Sequence, residues 1–232
     1  MSLQALDKRK SVPVRRRAGI NGGPVVTRNP ERTRAVILES AVAEFARHGL
    51  GGARVDRIAA SAGANKRMLY HYFGDKEGLF LAVLEDRYAH IRDAERQLDL
   101  GDLDPREGLK RLVEFTWSYF LAHPEFMTLL NSENLHKGRH VSRSSRVREM
   151  HSPLVDTLRS ILERGEREAL FRKGIDPVQL YISIAGEGYF YLSNRYTLSQ
   201  IFGRDLMKPA ALASRARHVT EMVLNAVQKK ST

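Results

Sequence analysis

A short break at residues 63–65 (Gly-Ala-Asn) separates two segments whose apolar residues recur at helical spacing. The first segment covers residues 54–62 and the second covers residues 66–73. Asparagine readily caps a helix, so Asn65 is a suitable start for the second segment. Two short helices joined by a three- to four-residue turn that contains glycine form a helix-turn-helix. The pattern therefore predicts a helix-turn-helix in the first third of the chain.

The rest of the chain also shows helical periodicity, and no segment alternates as a half-buried strand would. Several helix starts are marked by a capping residue followed by proline; these are Asn29-Pro30, Asp104-Pro105, Ser152-Pro153 and Asp176-Pro177. The predicted helices cover residues 30–48, 54–62, 66–73, 75 through at least 84, 105–123, 125–135, 153–165, 177–196 and 211–227. Residues 134–145 are polar and form a loop or a frayed helix.

These elements predict an all-α fold in three parts. Residues 1–27 contain glycine and proline without apolar periodicity, which predicts a mobile basic arm. Residues 28–84 form a three-helix domain with the helix-turn-helix, and residues 85–232 form a larger helical domain. The Arg15–Arg17 run of the arm either enters a DNA minor groove or stays disordered.

Positive charge is concentrated near the N-terminus. The chain carries a formal net charge of +11, and residues 1–35 hold nine basic against two acidic side chains. An uneven basic excess attracts polyanions over long distances. Nucleic acid is therefore the first candidate partner and an anionic membrane surface the second, while a merely solvated tail is the remaining alternative.

The sequence excludes several classes of chemistry. The chain has no cysteine, which rules out disulfides, thiolate zinc sites and cysteine nucleophiles. No G-x-S-x-G, H-E-x-x-H or P-loop pattern occurs, so we expect neither an enzyme nor a cofactor. Glu133, His136 and His140 have the spacing of metal ligands on a helix, but Gly138 indicates a loop and we expect no metal. Without a signal-peptide core or an apolar run of ~18 residues, the expected compartment is the cytoplasm.

The segment from residue 54 to residue 84 resembles the TetR family of transcriptional regulators. The matching residues, which occur without gaps, are Ile58-Ala59, Ala62-Gly63, Leu69-Tyr70-His71-Tyr72-Phe73, Lys76-Glu77 and Leu79, preceded by Phe45 and His48-Gly49. The resemblance implies a DNA-binding domain whose second short helix enters the major groove. Beyond residue 84 only length and helical character agree, as expected where each member's ligand domain is tailored.

The first residues of this second short helix are the expected base readers. A helix fits the major groove, which is about 12 Å wide, with its N-terminal residues at the base edges; these residues are Asn65, Lys66, Arg67 and Met68. Arg67 or Lys66 suits guanine, and the Met68 thioether suits a thymine methyl. The alternative for the two cations is a solvated face.

Four further residues are expected to contact the DNA backbone. The resemblance implies phosphate contacts by Tyr70, His71 and Lys76, which hold the register without reading sequence. Arg54 stands where the family often has a capping Thr or Ser, so it is expected to reach a phosphate directly. Core packing is the alternative for the Tyr70 ring.

The resemblance also implies that the second domain dimerises through its last two helices and holds a small effector. The candidate pocket residues are aromatic, methionine and aliphatic side chains at helical spacing together with one carboxylate: Trp117, Phe120, Phe126, Met127, Leu130, Tyr181, Ile184, Glu187 and Tyr191. Ordinary core packing is the alternative for this set. Glu187 meets a structural arginine, a cationic ligand or the partner subunit, since an unpaired carboxylate there is costly. The flanking Gly186 and Gly188 indicate close helix contact or room for a ligand.

Together these features predict a ligand-responsive regulator, a repressor in the first instance, that binds a palindromic operator as a homodimer. Its expected partners are double-stranded DNA, an unidentified small-molecule effector and a second copy of the chain, with no membrane. By linkage, effector and DNA weaken each other's binding by the same factor. The alternative is a nucleoid-like basic protein that binds DNA with little sequence preference and without effector control.

Overall fold

A computed structural model describes residues 30–229, apart from the side chains of His151 and Ser152. Within this range the chain forms ten α-helices: α1 Pro30–Gly52, α2 Val55–Ser61, α3 Lys66–Phe73, α4 Lys76–Arg96, α5 Pro105–Ala122, α6 Pro124–Leu135, α7 Ser145–Arg167, α8 Pro177–Ser193, α9 Arg195–Ile201 and α10 Pro209–Val227. One isolated bridge between Phe171 and Gln228 is the only strand-like pairing of these residues. The all-α prediction is confirmed. The predicted arm at residues 1–27 and the Asn29 cap lie outside the described residues.

Side-chain caps fix most of the predicted helix starts. Asn65 accepts a hydrogen bond from the Met68 N–H, and Asp75 accepts one from the Gly78 N–H. Asp104 and Asp176 cap α5 and α8 in the same way, each followed by proline at the first helical position. Each cap satisfies backbone donors that the first helical turn leaves unpaired. The starts predicted from these residue types are confirmed.

Several predicted ends and one predicted start were wrong. α7 begins at Ser145, where Ser144 accepts the Val147 N–H, and Pro153 lies inside the helix instead of opening it. The helix continues through the proline because its apolar face is buried in the domain core, which offsets the lost hydrogen bond. α1 resumes for one turn after a left-handed residue at Gly49 (φ 63°), so the predicted loop at 49–52 is partly helical. α8 ends at Ser193 and α9 follows it, where a single helix to residue 196 was expected.

The first four helices and α6 enclose the N-terminal core. Ile37, Ala41 and Phe45 of α1 lie in one cluster with side chains of α2, α3 and the first half of α4, and Leu129 of α6 is buried with them. The rings of Phe45 and Phe80 stand edge to face, with centroids 5.1 Å apart. Ile58 and Leu69 are fully buried and hold α2 and α3 at their crossing. This core fixes the angle at which α3 is presented to its surroundings.

The second unit is built around α5, which packs against α7, α8 and α10. Leu109 and Leu112 of α5 are buried in one cluster with side chains of those helices, and Trp117 and Phe120 belong to a second cluster with α6. α4 enters both units, with Val83 in the N-terminal core and Ile91 in the second unit. The boundary expected at residue 84 therefore falls inside one continuous helix. Within the described residues no helix combines the length and apolar character needed to cross a bilayer.

Candidate nucleic-acid interface and ligand cavity

The N-terminus of α3 presents an exposed, positively charged face. Asn65, Lys66 and Arg67 are all exposed, while Leu69 anchors the helix in the core. Met68 is only half exposed and packs against the N-terminal core, so part of its side chain is already engaged. Three of the four expected base readers thus lie on the solvent side of a helix held from beneath.

The two cations of α3 differ in their intramolecular partners. Lys66 pairs with Asp56 on α2, and Arg54 also approaches Asp56 at 3.8 Å. The hydrogen bond from Lys66 is the main reason that the pKa of Asp56 is lowered. Arg67 has no ion-pair partner among residues 30–229, so its guanidinium remains available. An exposed pair such as Lys66–Asp56 contributes little to stability and is readily exchanged.

The expected phosphate contacts flank this helix. Tyr70 and His71 are exposed on α3, and the ring of Tyr70 lies largely outside the core. The Lys76 ammonium donates to the Gly51 carbonyl at 3.3 Å, which ties the start of α4 to the end of α1. Arg54 has an exposed side chain at the position before α2, without a side-chain cap. Arg54 therefore lies beside the start of α3 through Asp56. Tyr70 and His71 lie on the helix itself, and Lys76 follows its C-terminus.

A carboxylate that the sequence analysis did not identify holds Arg54 in place. Glu44 of α1 accepts hydrogen bonds from the Arg54 N–H at 2.9 Å and from Arg57 Nε at 2.8 Å. Burial opposes ionisation, but these two hydrogen bonds outweigh it and lower the pKa of Glu44. Glu44 thus pairs the backbone N–H of Arg54, the residue before α2, and leaves the N–H groups of the first turn of α2 without a side-chain cap. Its position on α1, ten residues before Arg54, gave no local sequence signal.

The predicted effector residues are divided between two hydrophobic clusters, with Tyr181 and Ile184 in the cluster of Leu109 and the other apolar ones in the cluster of Trp117. Trp117, Phe120, Phe126, Met127 and Ile184 are buried, and Leu130, Tyr181 and Tyr191 are half-buried around them. A β-carbon added to Gly188 would lie 3.1 Å from Phe120 Cδ2, so this glycine permits the close approach of α8 to α5. Glu187 pairs with Arg215 of α10. Of the three partners considered for Glu187, the structure thus shows the structural arginine.

A cavity of about 350 Å³ lies in the same unit but beside a different set of residues. It opens between the end of α4, the segment that follows it, and α7. Its apolar walls include Leu100, Met150 and Leu154, and its charged lining consists of Arg92, Glu95 and Arg96 of α4 and Asp99 after it. Of these, Arg92 and Glu95 are buried and fall on the α4 face that also carries the buried Ile91. An arginine and a glutamate on the apolar face of a helix were the available sequence signal for this site.

The three residues considered as metal ligands do not converge. The Glu133 carboxylate accepts the backbone N–H groups of His140 and Val141 and lies 2.6 Å from His140 Nδ1. His136 Nδ1 instead lies 2.7 Å from the Ser132 carbonyl oxygen. Across residues 30–229, no group of three His, Cys, Asp or Glu side chains is placed to hold a metal ion.

The exposed surface of α8 and of the α9 region carries several large hydrophobic side chains, to which α10 adds one. They are Val178, Ile182 and Phe190 on α8, Tyr196 and Ile201 on α9, Phe202 directly after α9, and Met222 on α10. Gly186 lies on the exposed side of α8, and a β-carbon added to it would meet nothing within 4 Å. Large exposed apolar patches mark interaction surfaces in soluble domains.

Comparison with known proteins identifies both units. Residues 37–83 match the family model of bacterial regulatory proteins, tetR family, and residues 105–223 match that of the tetracyclin repressor-like C-terminal domain. The HTH-type transcriptional repressor NicS of Pseudomonas putida is 41% identical over 199 residues, which cover 86% of this chain and 94% of NicS.

Solved structures share the architecture. The transcriptional regulator SCO4942 from Streptomyces coelicolor matches with a TM-score of 0.63 at 25% identity, over 84% of this chain and 98% of that one. A regulator from Saccharomonospora viridis, solved in complex with choline, has the same fold, with a TM-score of 0.66 at 18% identity over 86% and 100% of the two chains. From these matches over both units, the chain belongs to the TetR family of bacterial transcriptional regulators.

Proposed function

We propose that this chain is a dimeric transcriptional repressor that occupies a palindromic operator and leaves it when a small effector binds its C-terminal unit. The observation that carries the proposal is the exposed N-terminus of α3, where Asn65, Lys66 and Arg67 face solvent while Leu69 is buried. A helix anchored in this way can enter the major groove without unfolding any of its supports.

Within this proposal the α3 residues have distinct roles. Arg67, whose guanidinium is unpaired within the described part of the chain, reads guanine, and Lys66 exchanges Asp56 for DNA. Asn65 and the exposed part of Met68 contact neighbouring base edges. Tyr70, His71, Lys76 and Arg54 bind phosphates on either side and set the register.

Dimerisation through α8 and α10 follows from their exposed apolar surface. Ile182 and Phe190 on α8 and Met222 on α10 are the side chains that a second copy would cover. Gly186, exposed and without neighbours, lets two copies of α8 approach closely. A two-fold axis through this surface places the two α3 helices one turn of DNA apart, about 34–36 Å, on a palindromic site.

Two relatives support repression and effector control. NicS, with 41% identity, is described as a repressor, and the neighbour from Saccharomonospora viridis was solved with choline bound. Two places in the C-terminal unit are candidates for the effector contacts: the aromatic residues from Trp117 to Tyr191, and the separate cavity beside Arg92 and Glu95 of α4. Effector binding favours an arrangement of the two α3 helices that no longer matches the operator, so effector and DNA oppose each other's binding.

The experiment that tests this function is selection of the operator by the full-length protein from randomised duplexes, followed by anisotropy titrations at fixed salt. The proposal expects a palindromic site bound at least ~10³-fold more tightly than scrambled DNA, with two chains for each duplex. The nucleoid-like alternative expects no enriched sequence and an affinity that depends on salt alone. Uniform affinity for all duplexes would therefore overturn the proposal.

A further inference from the structure

The strongest unexplained feature of the C-terminal unit is the buried pair Arg92–Glu95 on α4. The two side chains are 3% and 6% exposed, and Arg92 Nη1 lies 2.9 Å from Glu95 Oε2. Despite this distance, Arg92 Nε and Nη1 and both Glu95 oxygens lack a hydrogen bond of acceptable geometry. They account for four of the eight buried side-chain nitrogen and oxygen atoms without a partner among the described residues.

A buried ion pair without further hydrogen bonds lowers the stability of the folded protein. Removing two charges from water costs several kcal/mol for each ion, and their attraction compensates only when further hydrogen bonds satisfy the remaining atoms. Arg92 has one such bond, which Nη2 donates to the Tyr181 hydroxyl at 2.8 Å. Glu95 has none. Arg92 and Glu95 line the cavity of about 350 Å³, although these four atoms are shielded from it in the present side-chain positions. A bound molecule can therefore supply the missing partners once the two side chains turn toward it.

The free atoms define the chemistry of that molecule. Arg92 offers N–H donors, which require an acceptor, and the adjacent Glu95 offers carboxylate oxygens, which require a donor. An amide edge presents a carbonyl oxygen beside an N–H and satisfies both at once. The walls formed by Leu100, Met150 and Leu154 require an apolar body behind that edge. The cavity size is within the about 300–1,000 Å³ found for small-molecule sites.

We propose that this cavity is the effector site and that it binds an uncharged small molecule whose amide-type edge bridges Arg92 and Glu95. That the ligand is the effector rests on the function proposed above, whereas the binding site itself does not. A rotation of the Glu95 side chain brings its oxygens to the ligand. An anion enters only if Glu95 takes up a proton, and a cation is rejected by Arg92.

The surroundings of Glu95 support this order of preference. Burial raises its pKa to about 7 even though Arg92 opposes the change. The other charged or titratable groups facing the site are Arg96 and Asp99 beside it, Tyr181 on α8, Tyr119 on α5 and Arg164 on α7. A carboxylate ligand above pH 7 must therefore be accompanied by a proton, and its affinity falls about tenfold for each pH unit.

The test uses three probes of equal size: benzamide, benzoate and benzylammonium. Ligand-observed NMR titrations of the full-length protein at pH 8 are expected to rank benzamide first and benzylammonium last. Between pH 7.5 and 8.5 the benzoate affinity is expected to fall about tenfold, while that for benzamide changes little. Glu95→Gln, which supplies both a donor and an acceptor, should make benzoate binding independent of pH.

A double variant separates ligand binding from folding. Arg92→Met with Glu95→Leu replaces the pair by apolar side chains of similar size, which is often neutral or stabilising. It should lose at least tenfold in benzamide affinity and still bind operator DNA. The matched control is Asp156→Asn with Arg159→Gln, an exposed pair at the same i, i+3 spacing on α7.

Three outcomes would overturn the proposal: no probe binds, benzylammonium binds as tightly as benzamide, or the double variant binds benzamide like the unmodified protein. If the protein binds benzamide in this cavity but selects no operator, the proposed function is contradicted and the proposed binding site is not. If it binds operator DNA but none of the three probes, only the proposed binding site is contradicted.

Discussion

His140 is completely buried against Glu133, with its Nδ1 2.6 Å from Glu133 Oε2 and its backbone N–H donated to Glu133 Oε1. The same imidazole stands edge to face with Phe80 of α4, at a centroid distance of 5.2 Å. The segment between α6 and α7 is thereby fixed to the core of the DNA-binding unit. This buried pair is thus one of the contacts that join the two units, together with the ion pair between Arg139 and Glu77 and the continuous helix α4.

We expect His140→Ala to destabilise the protein by about 2–4 kcal/mol, because it removes a buried hydrogen bond and leaves a void beside Phe80. The midpoint of urea unfolding measures the change. His218→Ala is the control, since His218 is exposed on the surface of α10. Equal losses in both variants would show that the Glu133–His140 pair does not hold the joint.

A second prediction concerns pH. Because burial raises the pKa of Glu95 to about 7 from an ordinary value near 4.5, the folded chain holds a proton that the unfolded chain releases. This contribution to stability is complete below the unfolded pKa and is lost as the pH rises to about 7. Glu95→Gln resembles the protonated form at every pH. We therefore expect it to be more stable than the unmodified chain by roughly 1–3 kcal/mol at pH 8, and nearly equal at pH 5.

Chemical denaturation at the two pH values measures this difference. The control is Glu107→Gln, an exposed carboxylate near Lys110, which should change the stability little at either pH. If Glu95→Gln were less stable at pH 8, the attraction to Arg92 would outweigh the cost of burial, contrary to the raised pKa.

The two cations proposed for different DNA contacts should behave differently. Arg67→Ala is expected to cost about 1–3 kcal/mol on the selected operator and to relax the preference at one base position. Lys76→Ala should weaken binding to all duplexes alike and reduce the slope of log K against log salt by about one. Anisotropy titrations over a panel of single-base operator variants distinguish the two patterns. A uniform loss in both variants would contradict the assignment of Arg67 as a base reader.

A fourth prediction tests the dimer surface. Gly186 lies on the exposed side of α8, and a β-carbon added there meets nothing within 4 Å, so we expect Gly186→Leu to fit within one chain. If α8 packs against its counterpart in a second copy, the leucine blocks the close approach and raises the dimer dissociation constant at least tenfold. Sedimentation velocity over a concentration series measures the constant. Glu114→Leu, on the exposed side of α5, should leave it unchanged, and an unaffected dimer in Gly186→Leu would place the interface elsewhere.

The helix starts were predictable where the interaction that fixes them is local in the sequence. The Asn65, Asp104 and Asp176 caps act within a few residues of their own position, so the sequence contains the full interaction. The same reasoning gave a wrong start at Pro153, because burial of the α7 face in the core stabilises a helix that continues through a proline. Local propensity is a weak guide where tertiary packing opposes it.

The site was less predictable than the fold. Arg92 and Glu95 are common residue types on a helix, and their burial depends on α7 and α8 closing over them. Glu44 reaches Arg54 and Arg57 only because α1 packs across α2. Such relationships are made by contacts between distant parts of the chain, for which spacing along the sequence carries no signal.

The continuity of α4 has a mechanical consequence. Its 21 residues span about 30 Å without a break, from Lys76 near the proposed phosphate contacts to Glu95 at the cavity. A rod of this length that tilts about its middle by about 5° carries each end through roughly 1.3 Å in opposite directions. Under the proposed function, a ligand that tilts α4 in this way would shift Lys76 without bending any helix. In a two-fold pair of chains the two displacements would add, and the distance between the two α3 helices would change by twice that amount.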